Sequence, residues 1–174
     1  MVINEAELKH LVKRIIELTL ENSQAAKQEV LVVVSGTSAS HIEAALKAFQ
    51  PRANEVVTAV VSNEVMQNEQ LGKLICAKFQ KIVSPQTVAD GALNFNKVVF
   101  LTMPRSILAK CALCIADAYE VKLVQSAFEQ NVPVALAKGA LQKFNGNEPK
   151  AYQQKILGYV RDLLEFGINI ELDA

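Results

Sequence analysis

The chain contains no tryptophan, and only 6% of its residues are aromatic, so no stacking platform for nucleobases stands out. Neither sign of charge prevails: eighteen lysines and arginines meet eighteen aspartates and glutamates. A nucleic-acid surface normally shows a basic excess, so that class of partner is not expected. Long apolar runs are missing too. The run Val30 to Val34 falls far short of the roughly 20 residues that cross a bilayer, and no membrane partner is expected. The opening MVINEAELKH has early acids and no cationic start before an apolar block, so it does not read as a secretory signal. Three cysteines, an odd number, argue against a disulfide framework and for a cytoplasmic setting. Cys111 and Cys114 form one CxxC, but there is no second, and the histidines are His10 and His41 alone. Four-ligand zinc is therefore not expected, and no metal is assigned. The cysteine pair reads as two small core hydrophobes on an apolar helix.

What the sequence does contain is an alternating pattern. With 51% hydrophobic and 21% charged residues among 174, it has the composition of a globular protein with a substantial core. Residues 3–20 place Ile3, Leu8, Leu11, Val12, Ile15, Ile16 and Leu18 at helical spacing. Asn4, Glu5 and Glu7 offer a cap and an acidic first turn. A polar connector follows, dividing the chain into an N-terminal amphipathic helix with linker, 1–27, and an α/β domain, 28–174. Within the domain, β-branched apolar runs at 30–34, 55–62, 79–85, 97–103, 132–137 and 168–172 predict six strands. Helices are expected over 39–49, 64–78, 106–131 and 151–167, the last capped by Gly167, with 86–96 irregular. Unalternated apolar strands between helices predict a doubly wound parallel sheet, a three-layer Rossmann-like or flavodoxin-like fold. Ligands in such sheets sit beyond the carboxyl ends of the strands, at the switch in strand order.

That rule directs attention to the loops after strands one, two and four. Ser35, Gly36, Thr37, Ser38 and Ser40 follow strand one. Gly36 permits positive φ or close backbone approach, and the helix start could hold a phosphate. The loop is neither GxGxxG nor GxxxxGK[ST], and by itself supports a capped turn as well as a phosphate cradle. Ser62 ends strand two, where it reads as a helix cap or as a second phosphate contact. After strand four, Thr102, Arg105 and Ser106 are the polar candidates, and the Arg105 guanidinium suits a planar acceptor or an anion.

The stretch 98–137 resembles one family. Leu108-Ala109-Lys110-Cys111-Ala112-Leu113-Cys114-Ile115-Ala116-Asp117, followed by Pro133-Val134, is similar to the Ile-Ala-Lys-Ile-Ala-x-Gly-Ile-Ala-Asp helix and Pro-Val strand of the homo-oligomeric flavin-containing cysteine decarboxylases. That family includes phosphopantothenoylcysteine decarboxylase and, more distantly, the flavin prenyltransferases. The strand-one loop resembles the turn that holds the FMN phosphate there, and the likeness spans roughly residues 28 to 140. It implies FMN held by Ser35, the N–H groups of Gly36, Thr37 and Ser38, and the hydroxyls of Ser38 and Ser62. It further implies Thr102, Arg105 and Ser106 facing the isoalloxazine ring, and a homo-oligomer, a trimer or a multiple of one. The catalytic features depart from the family. Aligned back from Asp117, Ser106 stands at the family's asparagine; aligned from Pro104, Leu108 does. The segment before this loop, SPQTVADGALNFN, contains no histidine, and AKGALQKF replaces the Pro-x-Met-Asn clamp. The expectation is an FMN flavoprotein that is not a cysteine decarboxylase. A transferase resembling the flavin prenyltransferases is an alternative, with Arg105, Lys110, Lys122 and Lys138 as its available cations. Another is a structural subunit, since residues 3–20 are similar to the encapsulation helices of bacterial microcompartment cargo and imply shell proteins as partners.

Overall fold

The computed structural model describes residues 8–17, 27–89 and 94–171; the expected cap at Asn4–Glu7 and the chain at 18–26 lie outside the described residues. Six strands form one sheet: β1 (Gln28–Val34), β2 (Glu55–Val61), β3 (Lys81–Val83), β4 (Lys97–Thr102), β5 (Val134–Leu136) and β6 (Asn169–Ile170). All are parallel, in the order β3-β2-β1-β4-β5-β6. The period of two along each strand sorts its side chains onto two faces. Leu31 and Val33 of β1, with Val98 and Phe100 of β4, enter one core; Val30, Val32 and Val34, with Val99 and Leu101, enter the other. Both faces are covered, which is why β1 reads as an unbroken apolar run.

The helices are α1 (8–17), α2 (Ala39–Ala48), α3 (Asn63–Gln67), α4 (Glu69–Lys78), α5 (Pro85–Ala89), α6 (Arg105–Ala112), α7 (Tyr119–Glu129) and α8 (Lys150–Glu165). α2 and α4 bury Ile42, Leu46, Leu71 and Ile75 against one face of the sheet. On the other face α6, α7 and α8 contribute Leu108, Leu123 and Leu163. The six expected strands and the three-layer architecture are present, with edges shifted by a few residues. α1 is amphipathic as expected, yet Leu8, Leu11, Val12 and Ile16 are each about half exposed.

Three helical expectations need correction. The helix expected over 64–78 is two, because Asn68 takes an extended conformation and recaps the chain, its side chain accepting from the Leu71 N–H at 3.2 Å. Part of the irregular stretch 86–96 lies in α5. The helix expected over 106–131 is broken between α6 and α7, where Cys114 adopts φ +56°. There the Ile115 N–H donates to the Lys110 carbonyl at 2.9 Å and the Cys114 N–H to that of Cys111 at 3.1 Å, the two bonds of a Schellman cap. α8 ends the same way at Gly167, with φ +92° and the Ile168 N–H on the Leu163 carbonyl at 3.0 Å, as its sequence predicts. Cys111 is buried as expected of a core thiol, whereas Cys114 is exposed.

Candidate functional site

The strand order reverses between β1 and β4: the chain leaves β1 for β2 and β3 on one side and returns to β4 on the other. The loops there must diverge, and a crevice opens. A register shift between Val33 and Val34, which brings Val34 opposite Thr102, marks where the two strands part. Thr102 then clasps them. Its Oγ1 accepts the Ser35 N–H at 3.0 Å and donates to the Ser35 carbonyl at 2.7 Å. Both functions of this buried hydroxyl are thus used within the protein, so Thr102 holds the strand-one loop and does not face a ring.

The loop itself turns on Gly36, at φ +124°. A Cβ at that position would meet Pro104 Cγ at 3.2 Å, so the absence of a side chain lets the loop lie against the start of α6. Ser38 is the backbone N-cap of α2 and Ser62 that of α3, but neither hydroxyl makes a capping bond. Ser35 and Ser62 are buried, and no partner meets either Oγ. Among the described residues no hydrogen bond engages the N–H groups of Gly36, Thr37 or Ser38. A cluster of unspent donors therefore gathers at the positive end of α2.

These groups border a cavity of about 600 Å³ at the carboxyl end of the sheet, within the size range of small-molecule sites. Gly36, Thr37, Ser62 and Ser106 line it. Leu108 is fully buried in the core, whereas Ser106 lies on the cavity. Ser38 is not among the lining residues; Ser35 sits behind them. Arg105 turns elsewhere. Its guanidinium donates to Glu148 at 3.2 Å and to the Lys143 carbonyl at 3.1 Å, and stacks 4.7 Å from the Phe144 ring. That clamp fixes the start of α6 to the loop before α8, and corrects the expectation that Arg105 faces the ligand. Of the four cations named for a second phosphate, Lys122 alone lines the cavity. Lys110 is paired with Asp117 at 2.9 Å, and His41 Nε2 lies 2.7 Å from the Gly139 carbonyl.

Glu64, Tyr119 and Glu120, none of them expected from the sequence, also line the wall. Glu120 is 5% exposed, and its carboxyl is pushed above the usual range. Burial is the main cause and Glu64 adds to it; Ser35 and Tyr119, beside the carboxyl, pull in the opposite direction. The Tyr119 phenol, raised by burial and by Glu120, stays protonated, and its oxygen is buried without a hydrogen-bond partner. Signals for both lay in the sequence. Glu120 stands four and seven residues before Val124 and Ala127, on the buried stripe of α7. Only a helix read as beginning at Tyr119 puts an acid on its inward face in the first turn.

No protein-family model matches the sequence, and no curated protein does. Solved structures share the fold. MrsD from a Bacillus species superposes with a TM-score of 0.62 at 9% identity, covering 84% of each chain. A dodecameric FMN-dependent UbiX-like decarboxylase from Escherichia coli gives 0.58 at 14% identity, over 82% of this chain and 78% of that one. Burkholderia xenovorans DmrB, a cubic cage for redox transfer in complex with FMN, gives 0.55 at 17%, over 83% and 87%. At these identities the likeness is one of fold.

Proposed function

We propose that the protein is an FMN-binding flavoprotein that holds the cofactor non-covalently in the cavity at the β1–β4 switch. The observation that carries this reading is the pair of buried, partnerless hydroxyls of Ser35 and Ser62 beside the unengaged N–H groups of Gly36, Thr37 and Ser38. A buried polar group without a partner costs about 1–3 kcal/mol, and a phosphate at the start of α2 satisfies several such groups together. In this reading those donors hold the FMN phosphate and Ser106 faces the isoalloxazine ring. Thr102 acts through the Ser35 backbone that it clasps. FMN in the Escherichia coli and Burkholderia xenovorans proteins supports the choice of cofactor. A bound flavin supplies electron-pair transfer at its ring; the protein supplies position and hydrogen bonds.

The reaction differs from cysteine decarboxylation in this reading, because Ser106 or Leu108 stands at the family's asparagine and AKGALQKF follows β5 in place of the clamp. A prenyl-transfer reading finds little support, since Lys122 is the one cation of the four proposed that lines the cavity. Assembly as a trimer or a multiple of one fits a cavity that opens to solvent and accords with the dodecamer and the cage. The domain proper is residues 28–174, with 1–27 an appendage. A second reading concerns that appendage. The exposed apolar stripe of α1 favours docking onto another protein, such as a microcompartment shell protein, with the protein cytoplasmic inside such a compartment. Removal of residues 1–20 then abolishes co-sedimentation with shell proteins and leaves the fold intact. The decisive test of the main reading is an absorption spectrum of the purified protein, followed by thermal melts with added FMN. A flavin band, or a rise in melting temperature, is expected; a colourless protein with no rise refutes it.

A further inference from the structure

Glu120 has no cation beside it to explain its burial. The groups around it are the Ser35 hydroxyl from the loop after β1, Tyr119 and Lys122 from its own helix, Glu64 from α3 and the Cys111 thiol from α6. Lys122 is exposed, and among the described residues no ion pair engages Glu120. Glu64 repels a charge there. The Cys111 thiol is pushed up to about 12, by burial first and by Glu120 second, so it is neutral and offers no compensation. A carboxyl so placed keeps its proton to higher pH than an ordinary glutamic acid. The difference matters to a ligand: a carboxylate only accepts hydrogen bonds, whereas a carboxylic acid donates one. Ser35, its neighbour, belongs to the unspent donor cluster at the start of α2.

We infer that Glu120 is a positioning residue of the phosphate site, a neutral carboxylic acid whose O–H extends the donor cluster of Ser35, Ser62 and the α2 N-terminus toward a phosphate monoester. The inference rests on the reading of this cavity as the seat of the FMN phosphate. It adds that ligand binding draws a proton onto Glu120 wherever that carboxyl is ionised in the free protein. A bound dianion holds the Glu120 proton more tightly, so binding and protonation are linked. Above the pH at which Glu120 ionises in the free protein, affinity falls about tenfold per pH unit, one proton entering with each ligand.

The test is calorimetric titration of the full chain with FMN, and separately with inorganic phosphate, between pH 5 and 9. Two buffers of different ionisation enthalpy count the protons. Glu120→Gln keeps a donor but cannot titrate; Glu120→Leu keeps bulk and loses the donor. The ligand's own phosphate ionisation affects every variant equally, and Glu64→Gln removes the neighbouring carboxyl's contribution. Thermal melts establish that each variant folds. The expected result is proton uptake and a falling affinity with rising pH in the wild type. Glu120→Gln binds FMN with neither signature, and Glu120→Leu binds at least tenfold more weakly across the range. An unchanged pH slope in Glu120→Gln, or no proton uptake in the wild type, overturns the role of Glu120 while FMN binding itself stands. Inorganic phosphate bound with the pH signature, but no FMN bound, keeps the role of Glu120 and removes the flavin. Failure of both ligands to bind removes both.

Discussion

Replacing Gly36 by alanine tests the site at its tightest point. Two separate costs arise. At φ +124° an L-residue occupies backbone space it rarely adopts, a strain of order 1–3 kcal/mol. The added methyl also meets Pro104 Cγ at 3.2 Å, and the proline ring at the N-cap of α6 has little freedom to yield. Together they cost about 2–3 kcal/mol if the loop holds its place, which lowers the melting temperature of a chain of this size by roughly 5–10 °C. If the loop moves instead, part of that loss disappears and the N–H groups of Gly36, Thr37 and Ser38 leave their common focus. Either response is measurable. Melts by circular dichroism report the first, and flavin-fluorescence quenching reports the second as at least a tenfold loss of FMN affinity. Gly139→Ala is the control, since φ there is +82° and nothing lies within 4 Å of the added carbon; it carries strain without contact. In a Pro104→Ala background the contact part of the Gly36→Ala cost is relieved, and the cycle isolates it. A Gly36→Ala protein that melts and binds FMN like the wild type would falsify the close approach on which the site is built.

Three other changes probe separate links. Thr102→Val keeps the shape but removes both bonds to the Ser35 backbone; a destabilisation of about 2–3 kcal/mol by denaturant titration is expected, with Thr102→Ser close to wild type. Cys114→Gly relieves a side chain at φ +56° whose thiol is exposed, so thermal melts show a gain of about 1 kcal/mol, which Cys114→Ala does not reproduce. Glu120 has a raised pKa in the folded state, so the stability this adds is present below the ordinary glutamate pKa and is lost as pH rises toward the folded value. Glu120→Gln therefore stabilises the protein at pH 8 and has little effect near pH 4; equal effects at both would contradict the assignment.

How much of this was legible varied by element. β1 and β4 announced themselves because strands covered on both faces carry no polar alternation, and few other local structures produce five consecutive branched apolar residues. Gly167 announced the end of α8 because glycine is the ordinary residue of a Schellman cap. The same cap after α6 was invisible because Cys114 occupies it, and an L-residue gives no sign that it will take positive φ. That miss had a consequence. Read as one continuous helix, 106–131 hides the first turn of α7, and Glu120 with it.

Local patterning thus determined the elements, their order and the kind of sheet they make, since hydrophobic period and turn chemistry are properties of neighbours along the chain. It also marked Gly36 and the serines as residues suited to an anion. The division of labour among them was decided by contacts distant in sequence. Thr102 reaches Ser35 across 67 positions and is spent there. Arg105 reaches Glu148 across 43 and leaves the site. Whether a polar group is satisfied or left with unspent hydrogen-bonding capacity depends on which strand ends and helix starts the fold brings together. In this protein that accounting leaves Ser35, Ser62 and Tyr119 without partners and Glu120 without a cation, all around one cavity.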